Sequence, residues 1–491
     1  MQLPFDWNRI FFTALSRGVI TLISLVSLAG CKFAGVDYEP PQVDLPDAWN
    51  ARIVSSQAGL LAVDKWWERF EDETLDALID TAIDENRSLA IAYERVVQAR
   101  LARTISNSGL FPEIGGTGGF SRERTSENVG LSASAGGGAT NSFYSVGTVL
   151  TWELDVLGGV RRSIESADAS LQATEENYRD FMVLLISEVA RSYLDICTLE
   201  ERIKLARQNT ENQKGSLKLA NDRFDAGLVP RQDITQAQTN LADTQAFLPQ
   251  LRQQRIATLN RLSILLGGYA AETEQLIGQH KVIPMPPEGS EIETPADVLR
   301  ARPDVRAAER QLAAQTARIG VAEADLYPRF ALNGNLTLLA NESGDVFETG
   351  SRAYGFGPAF RWNLFNMGRV RSLIDIEESR TREAYLAYEN TVLEAVQEVE
   401  TSMSAIANER DRLVSVKLGA ESAKETVFLV KENYSKGLVD FQNVLDAERT
   451  ATRVEDNYAV SQGLIAKAYV SLYSALGGGF SEESIQSALK K

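Results

Sequence analysis

From Tyr178 onward, apolar residues recur at steps of three and four: Tyr178, Phe181, Leu185, Val189, Tyr193, Ile196, Leu199 and Ile203. That spacing puts one apolar stripe on a helix that packs against neighbours on a single side. The stretch that holds it, Gly158 to Asp225, has no proline and only Gly215 inside. Ala, Gln, Arg and Glu fill the remaining positions, and all favour helix. At about 1.5 Å per residue this predicts a rod on the order of 100 Å long. A second stretch, Gly368 to Lys436, matches it, with only Gly419 inside. A helix of this length with a narrow stripe is a coiled-coil element rather than the centre of a globule. Both rods end on Gly-Leu-Val, at Gly227 and Gly437, where glycine suits the left-handed cap that stops a helix. Return helices are predicted from Gln232 and Phe441. Each rod is then one arm of a helical hairpin with its tip at the glycine.

Elsewhere the period changes to two. Tyr144, Val146, Leu150, Trp152 and Leu154 share one parity, with Ser145, Gly147 and Thr151 on the other. Further on, Tyr354, Phe356, Phe360, Trp362 and Leu364 oppose Ala353, Gly355, Gly357, Arg361 and Asn363. Two environments produce such strands: a sheet lying on a soluble core, or a barrel wall with lipid outside and water inside. Partner strands are expected near Ile114–Arg122 and Phe330–Leu338, which makes four per chain. Helices over Leu89–Gly109 and Val305–Asp325 precede them, stopped by Phe111-Pro112 and Tyr327-Pro328. Four strands cannot close a barrel, and open edges are forbidden in lipid. If these strands cross a membrane, the barrel must be shared between chains.

These elements come twice. Trp152-Glu153-Leu154 is echoed by Trp362-Asn363-Leu364, and Gly158-Gly159-Val160-Arg161 by Gly368-Arg369-Val370-Arg371. Arg223 to Val229 is echoed by Asn433 to Val439, and Leu266-Gly267-Gly268 by Leu476-Gly477-Gly478. Every pair is offset by 210 residues (437 − 227). An earlier pair, Leu110-Phe111-Pro112 and Leu326-Tyr327-Pro328, is offset by 216. The difference falls on the Gly/Ser/Ala-rich loop Thr125–Asn141, where insertions are tolerated.

Candidate chemistry is sparse. The 491 residues carry a net charge of −17 and a single histidine, His280, beside the run Pro284-Met285-Pro286-Pro287. An acidic chain repels phosphate backbones, so nucleic acid is not an expected partner. The charge reads as solvated helix faces, or as an acidic lumen that favours cations. One His and two Cys, Cys31 and Cys197, cannot build a His/Cys zinc site, and no metal site is assigned. A Ser-His-Asp triad would have to use His280, which lies in a linker. Cys197 reads as a small buried hydrophobe. There is no Gly-rich phosphate loop and no plausible nucleophile–base pair, so enzyme function is not expected.

The first thirty residues read as an address. Arg9 and Arg17 precede an apolar run, Val19 to Leu28, and Leu28-Ala29-Gly30-Cys31 follows. A basic start, a short apolar stretch and small residues at a cut site describe a secretory signal peptide, and a membrane span needs about 20 apolar residues. Leu-Ala-Gly-Cys resembles a bacterial lipobox, in which the cysteine becomes the lipidated first residue. Lys32, rather than Asp, follows it, which points to the outer membrane rather than inner-membrane retention. With Cys31 lipidated, Cys197 has no partner for a disulfide.

In this order of motifs the chain resembles the outer-membrane efflux factors of the TolC and OprM type, in the lipidated, NodT-like branch. The likeness is carried by Tyr38-Glu39-Pro40-Pro41 with Pro46 and Trp49, and by Trp66-Trp67 with Phe70 and Leu75. Arg302-Pro303-Asp304-Val305 with Ala308-Glu309 and Leu312 carries it further, as do Tyr434, Gly437 and Val444-Leu445-Asp446-Ala447. It spans Cys31 to about Phe480. The resemblance implies a mainly α fold with a membrane β-barrel: a long-helix α-barrel plus a 12-stranded β-barrel shared by a trimer, internally duplicated. The segments would be a signal peptide (1–30), a lipidated extended segment (31–75), a first repeat (76–268), an equatorial linker (269–300), a second repeat (301–479) and a tail (480–491).

The hairpin tips would narrow into a periplasmic gate. Carried over by position, Tyr434 is the latch tyrosine, Asp233 its first-hairpin partner and Asp446 the ring carboxylate, with Gln442 and Asn443 beside it. Some relatives have a second aspartate where Asn443 stands, and a latch arginine where Val439 stands. The implied partners are two further copies of the chain, a periplasmic membrane-fusion adaptor at the tips, an inner-membrane RND-type transporter and outer-membrane lipid. No cofactor is implied beyond the lipid on Cys31. The implied function is passive conduction of drugs, metals or other small molecules from periplasm to outside. Two alternatives remain: an outlet for type I protein secretion, which shares the fold, and a periplasmic coiled-coil adaptor, which would not need paired aromatic strands.

Overall fold

The computed structural model describes residues 34–42, 65–124, 126, 138, 140–278, 282–285 and 296–479. The signal peptide, Cys31, Pro46, Trp49, His280, most of the Gly/Ser/Ala-rich loop and the C-terminal tail lie outside the described residues. In chain order come α1 (Glu73–Glu85), α2 (Arg87–Ser108), β1 (Glu113–Arg124), β2 (Thr140–Leu154), α3 (Gly159–Asp225), α4 (Arg231–Leu265) and α5 (Ala270–Ile277). Then follow α6 (Pro303–Ala324), β3 (Arg329–Ala340), β4 (Arg352–Arg361), α7 (Arg369–Ser435) and α8 (Phe441–Ala475). The two rods, α3 and α7, have 67 residues each, and their return helices, α4 and α8, have 35 each. Among the described residues no helix is long and apolar enough to cross a membrane. The chain forms two compact units.

One unit, made of residues 1–41, 98–172 and 310–386, holds the sheet. Its four strands run in sequence order, each antiparallel to the next. The register decides which residues share a face, because side chains alternate along each strand. Phe120 pairs with Tyr144, Val146 with Leu338, Trp152 with Leu332, Leu336 with Tyr354, and Phe330 with Phe360. These belong to one parity, so a single apolar, aromatic face crosses all four strands. The other parity pairs Thr117 with Gly147, Gly147 with Thr337, Thr151 with Asn333, and Asn335 with Gly355. That face is small and polar. Among the described residues nothing covers the apolar face: Tyr354 is 84% exposed and Phe356 74%. β1 and β4 each keep an unpaired edge.

One expectation needs correction. Trp362 and Leu364 share the alternation of β4, but the strand ends at Arg361. Its partner β3 begins at Arg329, which pairs with Arg361, so no further ladder is available. Trp362 instead turns its indole Nε1 to the carbonyl of Leu326, 3.0 Å away, and Trp152 does the same to Leu110 at 3.0 Å. Each tryptophan thereby ties a strand end to the chain leaving the preceding helix. In the same unit the segment from Ala34 is pinned to the start of α3. Ala34 N donates to Leu157 O, and the nearly buried Arg162 donates to Ala34 O and to Asp37. Gly35 has φ +88°, and a Cβ there would come within 2.5 Å of the Gly320 Cα, so only glycine fits.

The other unit, residues 42–97, 173–309 and 387–491, carries the helical core. The stripe on α3 is buried where expected: Leu185, Val189, Tyr193, Ile196, Leu199 and Ile203 all point inward, and Cys197 is fully buried among them. Trp66, in a short 3-10 turn, stacks on Tyr473 of α8 at 5.2 Å and 8°. Asp72 caps α1 through the amides of Thr74 and Leu75 and also accepts the Tyr193 hydroxyl at 2.7 Å. Arg302 is nearly buried and binds Asp304, Glu398 and the carbonyl of Ala475.

Beside this arginine, burial raises the carboxyl of Asp180 to about 6, reinforced by Asp304 and Glu398 and opposed by Arg302. A raised folded-state value means that Asp180 favours the fold while protonated and loses that contribution as pH rises through about 6. Asp180→Asn should therefore raise the thermal midpoint of helix loss at pH 8, on the order of 1–2 °C, and leave it unchanged at pH 4. Equal shifts at both pH values would rule this account out.

Candidate functional site

Both hairpin tips lie in the helical unit. At the first, Gly227 has φ +75°, its amide donates to Phe224 O at 2.8 Å, and Leu228 N donates to Arg223 O at 2.9 Å. At the second, Gly437 has φ +77°, its amide donates to Tyr434 O at 2.9 Å, and Leu438 N donates to Asn433 O at 2.9 Å. Each is a Schellman turn, which needs a residue at positive φ and satisfies carbonyls that the helix leaves open. The turns return the chain tightly enough for the four arms to meet. Ala220, Ala237, Tyr434, Phe441, Val444 and Leu445 form a small buried cluster there, with Val229 and Val439 against it. Val439 is thus an apolar filler at the second tip.

The structure brings Tyr434 and Asp233 together. Tyr434 is 2% exposed, its ring tilts against Phe441 at 5.1 Å, and its hydroxyl donates to Asp233 Oδ2 at 3.1 Å. Burial, and then the Asp233 carboxylate beside it, push the phenol up to about 12. The phenol therefore stays a neutral donor at any physiological pH, and its bond to Asp233 crosses from one hairpin to the other. Gln442, Asn443 and Asp446 lie apart from this pair, on the exposed side of α8. Gln442 Nε2 donates to Asp446 Oδ1 at 2.9 Å, one helical turn on, and Asn443 Nδ2 donates to the Asp440 carbonyl at 3.3 Å. None of the three bonds to Tyr434 or Asp233 among the described residues.

Two residues that the sequence reading passed over are central here. Glu448 on α8 is 4% exposed and accepts from Ser216 of α3, from Asn240 of α4 at 3.2 Å and from Lys431 of α7 at 2.9 Å. One carboxylate thus takes a donor from each of the other three arms, which offsets the cost of burying its charge. Its signal was available: Glu448 lies four residues past Val444 and three before Ala451, on the buried face of α8. The second is Arg223, in the last turn of α3. Its guanidinium lies over the Tyr434 ring, 4.8 Å from the centroid, and its Nη1 donates to the carbonyls of Tyr434 and Ser435. Among the described residues no group of three His, Cys, Asp or Glu side chains is placed to hold a metal ion.

Comparison with known proteins sets this geometry in a family. Residues 78–268 and 294–478 match the family described as outer membrane efflux protein. The chain is 33% identical over 477 residues to nodulation protein T of Rhizobium leguminosarum bv. viciae, covering 96% of this chain and 95% of that one. It is 30% identical over 441 residues to the pyoverdine export outer membrane protein OpmQ of Pseudomonas aeruginosa, covering 89% and 92%. Among solved structures, the outer-membrane channel OprN is similar with a TM-score of 0.83 and 32% identity, covering 91% of this chain and 99% of OprN. The chain belongs to the outer membrane efflux protein family and is the outer-membrane channel component of an efflux system.

Proposed function

We propose that three copies of this chain form a gated, passive duct that carries drugs, metals or other small molecules from the periplasm out of the cell. The observation that carries this reading is the sheet. It exposes a continuous aromatic face, sets small polar residues opposite, and leaves both edges unpaired. In lipid every backbone N–H and C=O needs a partner, which an open four-stranded sheet cannot supply. Three such sheets, edge to edge, make a closed barrel of twelve strands with the aromatic face toward lipid and the Gly/Thr/Asn face toward water. The two hairpins of each chain contribute to a helical tube whose tips form the periplasmic gate. A periplasmic membrane-fusion adaptor docks at those tips and couples the duct to an inner-membrane RND-type transporter. The duct performs no catalysis and needs no cofactor. The 210-residue offset between matching helices makes each chain an internal duplication, with repeats over 76–268 and 301–479 joined by an equatorial linker at 269–300.

Cys31 carries the lipid in this reading. Ala34, pinned to the residues that join β2 to α3, is three residues further on. Three residues span at most about 10 Å, which keeps the acyl group close to the barrel in this reading.

Single cysteines placed at positions 353–357 test the barrel directly. In trimers, a water-soluble thiol reagent should label positions 353, 355 and 357 and spare 354 and 356. Uniform labelling, or a stable monomer that keeps all four strands, would contradict the shared barrel.

Cys31→Ser should abolish acylation of the mature protein while leaving part of it in the outer membrane, because the strands provide their own apolar surface. An unmodified Cys31 in the intact mass of the wild-type protein would refute lipidation.

The gate is tested by conductance in planar bilayers. Threefold symmetry would set three Asp446 carboxylates at one level, where they favour cations and bind multivalent ones. Asp446→Ala should lower cation selectivity and relieve block by multivalent cations. Tyr434→Phe should raise the open fraction by removing the bond to Asp233. If Asp446→Ala changes neither selectivity nor block, the carboxylate is not at the constriction.

A further inference from the structure

The two tips are built alike, but the contact between them runs one way. Asp233 and Arg223 come from the first hairpin, and Tyr434 comes from the second. At the offset of 210, the counterpart of Tyr434 is Phe224, which has no hydroxyl; that of Asp233 is Asn443, which has no charge; that of Arg223 is Asn433. The reciprocal clamp cannot form. What remains is a device in which the end of α7 is held by groups on α3 and α4.

Arg223 is the most engaged of these groups. The carbonyls of Tyr434 and Ser435 lie in the last turn of α7, where the helix leaves its C=O groups without amide partners and accumulates partial negative charge. Tyr434 O is already taken by the amide of Gly437 at 2.9 Å. Arg223 Nη1 adds a second donor to it at 2.6 Å and reaches Ser435 O at 2.8 Å. The same guanidinium covers the Tyr434 ring at 4.8 Å, a cation–π contact strengthened by the burial of that ring. Among the described residues no carboxylate pairs with Arg223. Its positive charge is directed at the end of α7 and the tyrosine on it.

We infer that Arg223 is the positioning residue of the clamp: it caps the end of α7 from the neighbouring hairpin and fixes the Tyr434 ring so that its hydroxyl meets Asp233. This rests on the gate reading for its consequence, since the end of α7 is the arm that must come free for the tips to part. A lysine would carry the charge but has no planar guanidinium to lay over the Tyr434 ring while one nitrogen serves the two carbonyls.

The test uses the full-length protein in detergent and in planar bilayers, with Arg223→Gln, Arg223→Lys and Tyr434→Phe. Amide hydrogen exchange reads the clamp without reference to conductance. In Arg223→Gln, exchange at Gly437 and Leu438 should speed up on the order of tenfold, the loss expected from one charge-assisted hydrogen bond. Gly227 and Leu228, in the cap of the variant's own helix, should change little. Arg223→Lys should fall between wild type and Arg223→Gln. Faster exchange confined to Gly227 and Leu228, or none at either tip, would overturn the inference, because it would make Arg223 a stabiliser of α3 alone. Conductance then separates the two ideas. If Tyr434→Phe raises the open fraction and Arg223→Gln does not, the clamp fails and the gate stands. If exchange at the second tip speeds up but neither variant opens the pore, the clamp stands and the gate fails. If both variants open the pore, and the double variant opens it no further than the stronger single one, the two residues act as one unit.

Discussion

A strand at the edge of a sheet presents a row of N–H and C=O groups that must bond to something. Among the described residues this chain has two such edges, on β1 and β4, and between them a face of Phe, Tyr, Trp, Leu and Val that no other described residue covers. In water the edges could be solvated, but the aromatic face would be a large exposed apolar patch. In lipid the face is at home, but the edges are not. The two demands are met together only by more sheet of the same kind. The small residues of the opposite face follow from the same constraint, since a barrel lumen must admit water and solute. Gly147 and Gly355 lie on that face, where an added Cβ would come within 2.6 Å of the Leu336 carbonyl and 2.9 Å of Asn335 Oδ1 respectively.

The long helices were legible because their signal is local and repeated. The rod expected over Gly158–Asp225 is the helix Gly159–Asp225, and the return helix expected from Phe441 begins there. Stripe, glycine stop and return are all written within a few residues of where they act. The strands were less sharply bounded. Alternation continues through Trp362 and Leu364, but a strand lasts only as long as its neighbour, and β3 gives out at Arg329. Nothing near Trp362 in the sequence announces that limit, which lies about thirty residues earlier in the chain.

The candidate site was legible only where resemblance pointed to it. Tyr434 and Asp233 are 201 residues apart, and neither stands out by type or spacing. Arg223 is harder still to find. A basic residue in the last turn of a helix ordinarily serves its own C-terminus, yet this one serves the C-terminus of another helix, 211 residues further on. Glu448 did leave a mark, as a carboxylate on an apolar face, but a mark of that kind says that a partner is needed and not where it comes from. Its donors come from three different helices. Interactions of this kind exist only after the hairpins have met.

The distribution of strong and weak contacts along the hairpins bears on how such a tip could move. At the tips the buried cluster is small, with two alanines among its six members, and its largest members are the rings of Tyr434 and Phe441. The remaining hold is polar and sits at the surface end of the arms: one phenol–carboxylate bond and one guanidinium on two carbonyls. Hydrogen bonds to charged groups contribute roughly 1.5–3 kcal/mol each, and water can replace them as soon as the arms separate. Glu448 lies further from the tip, is almost wholly buried, and is tied to all three other arms. Parting the arms at that level would break bonds to all three other arms together. The polar bonds at the tip tie α7 to α3 and α4, whereas Glu448 joins all four arms at one point. In the gate proposed above, the last turns would loosen over that junction, because there a single carboxylate holds three arms at once.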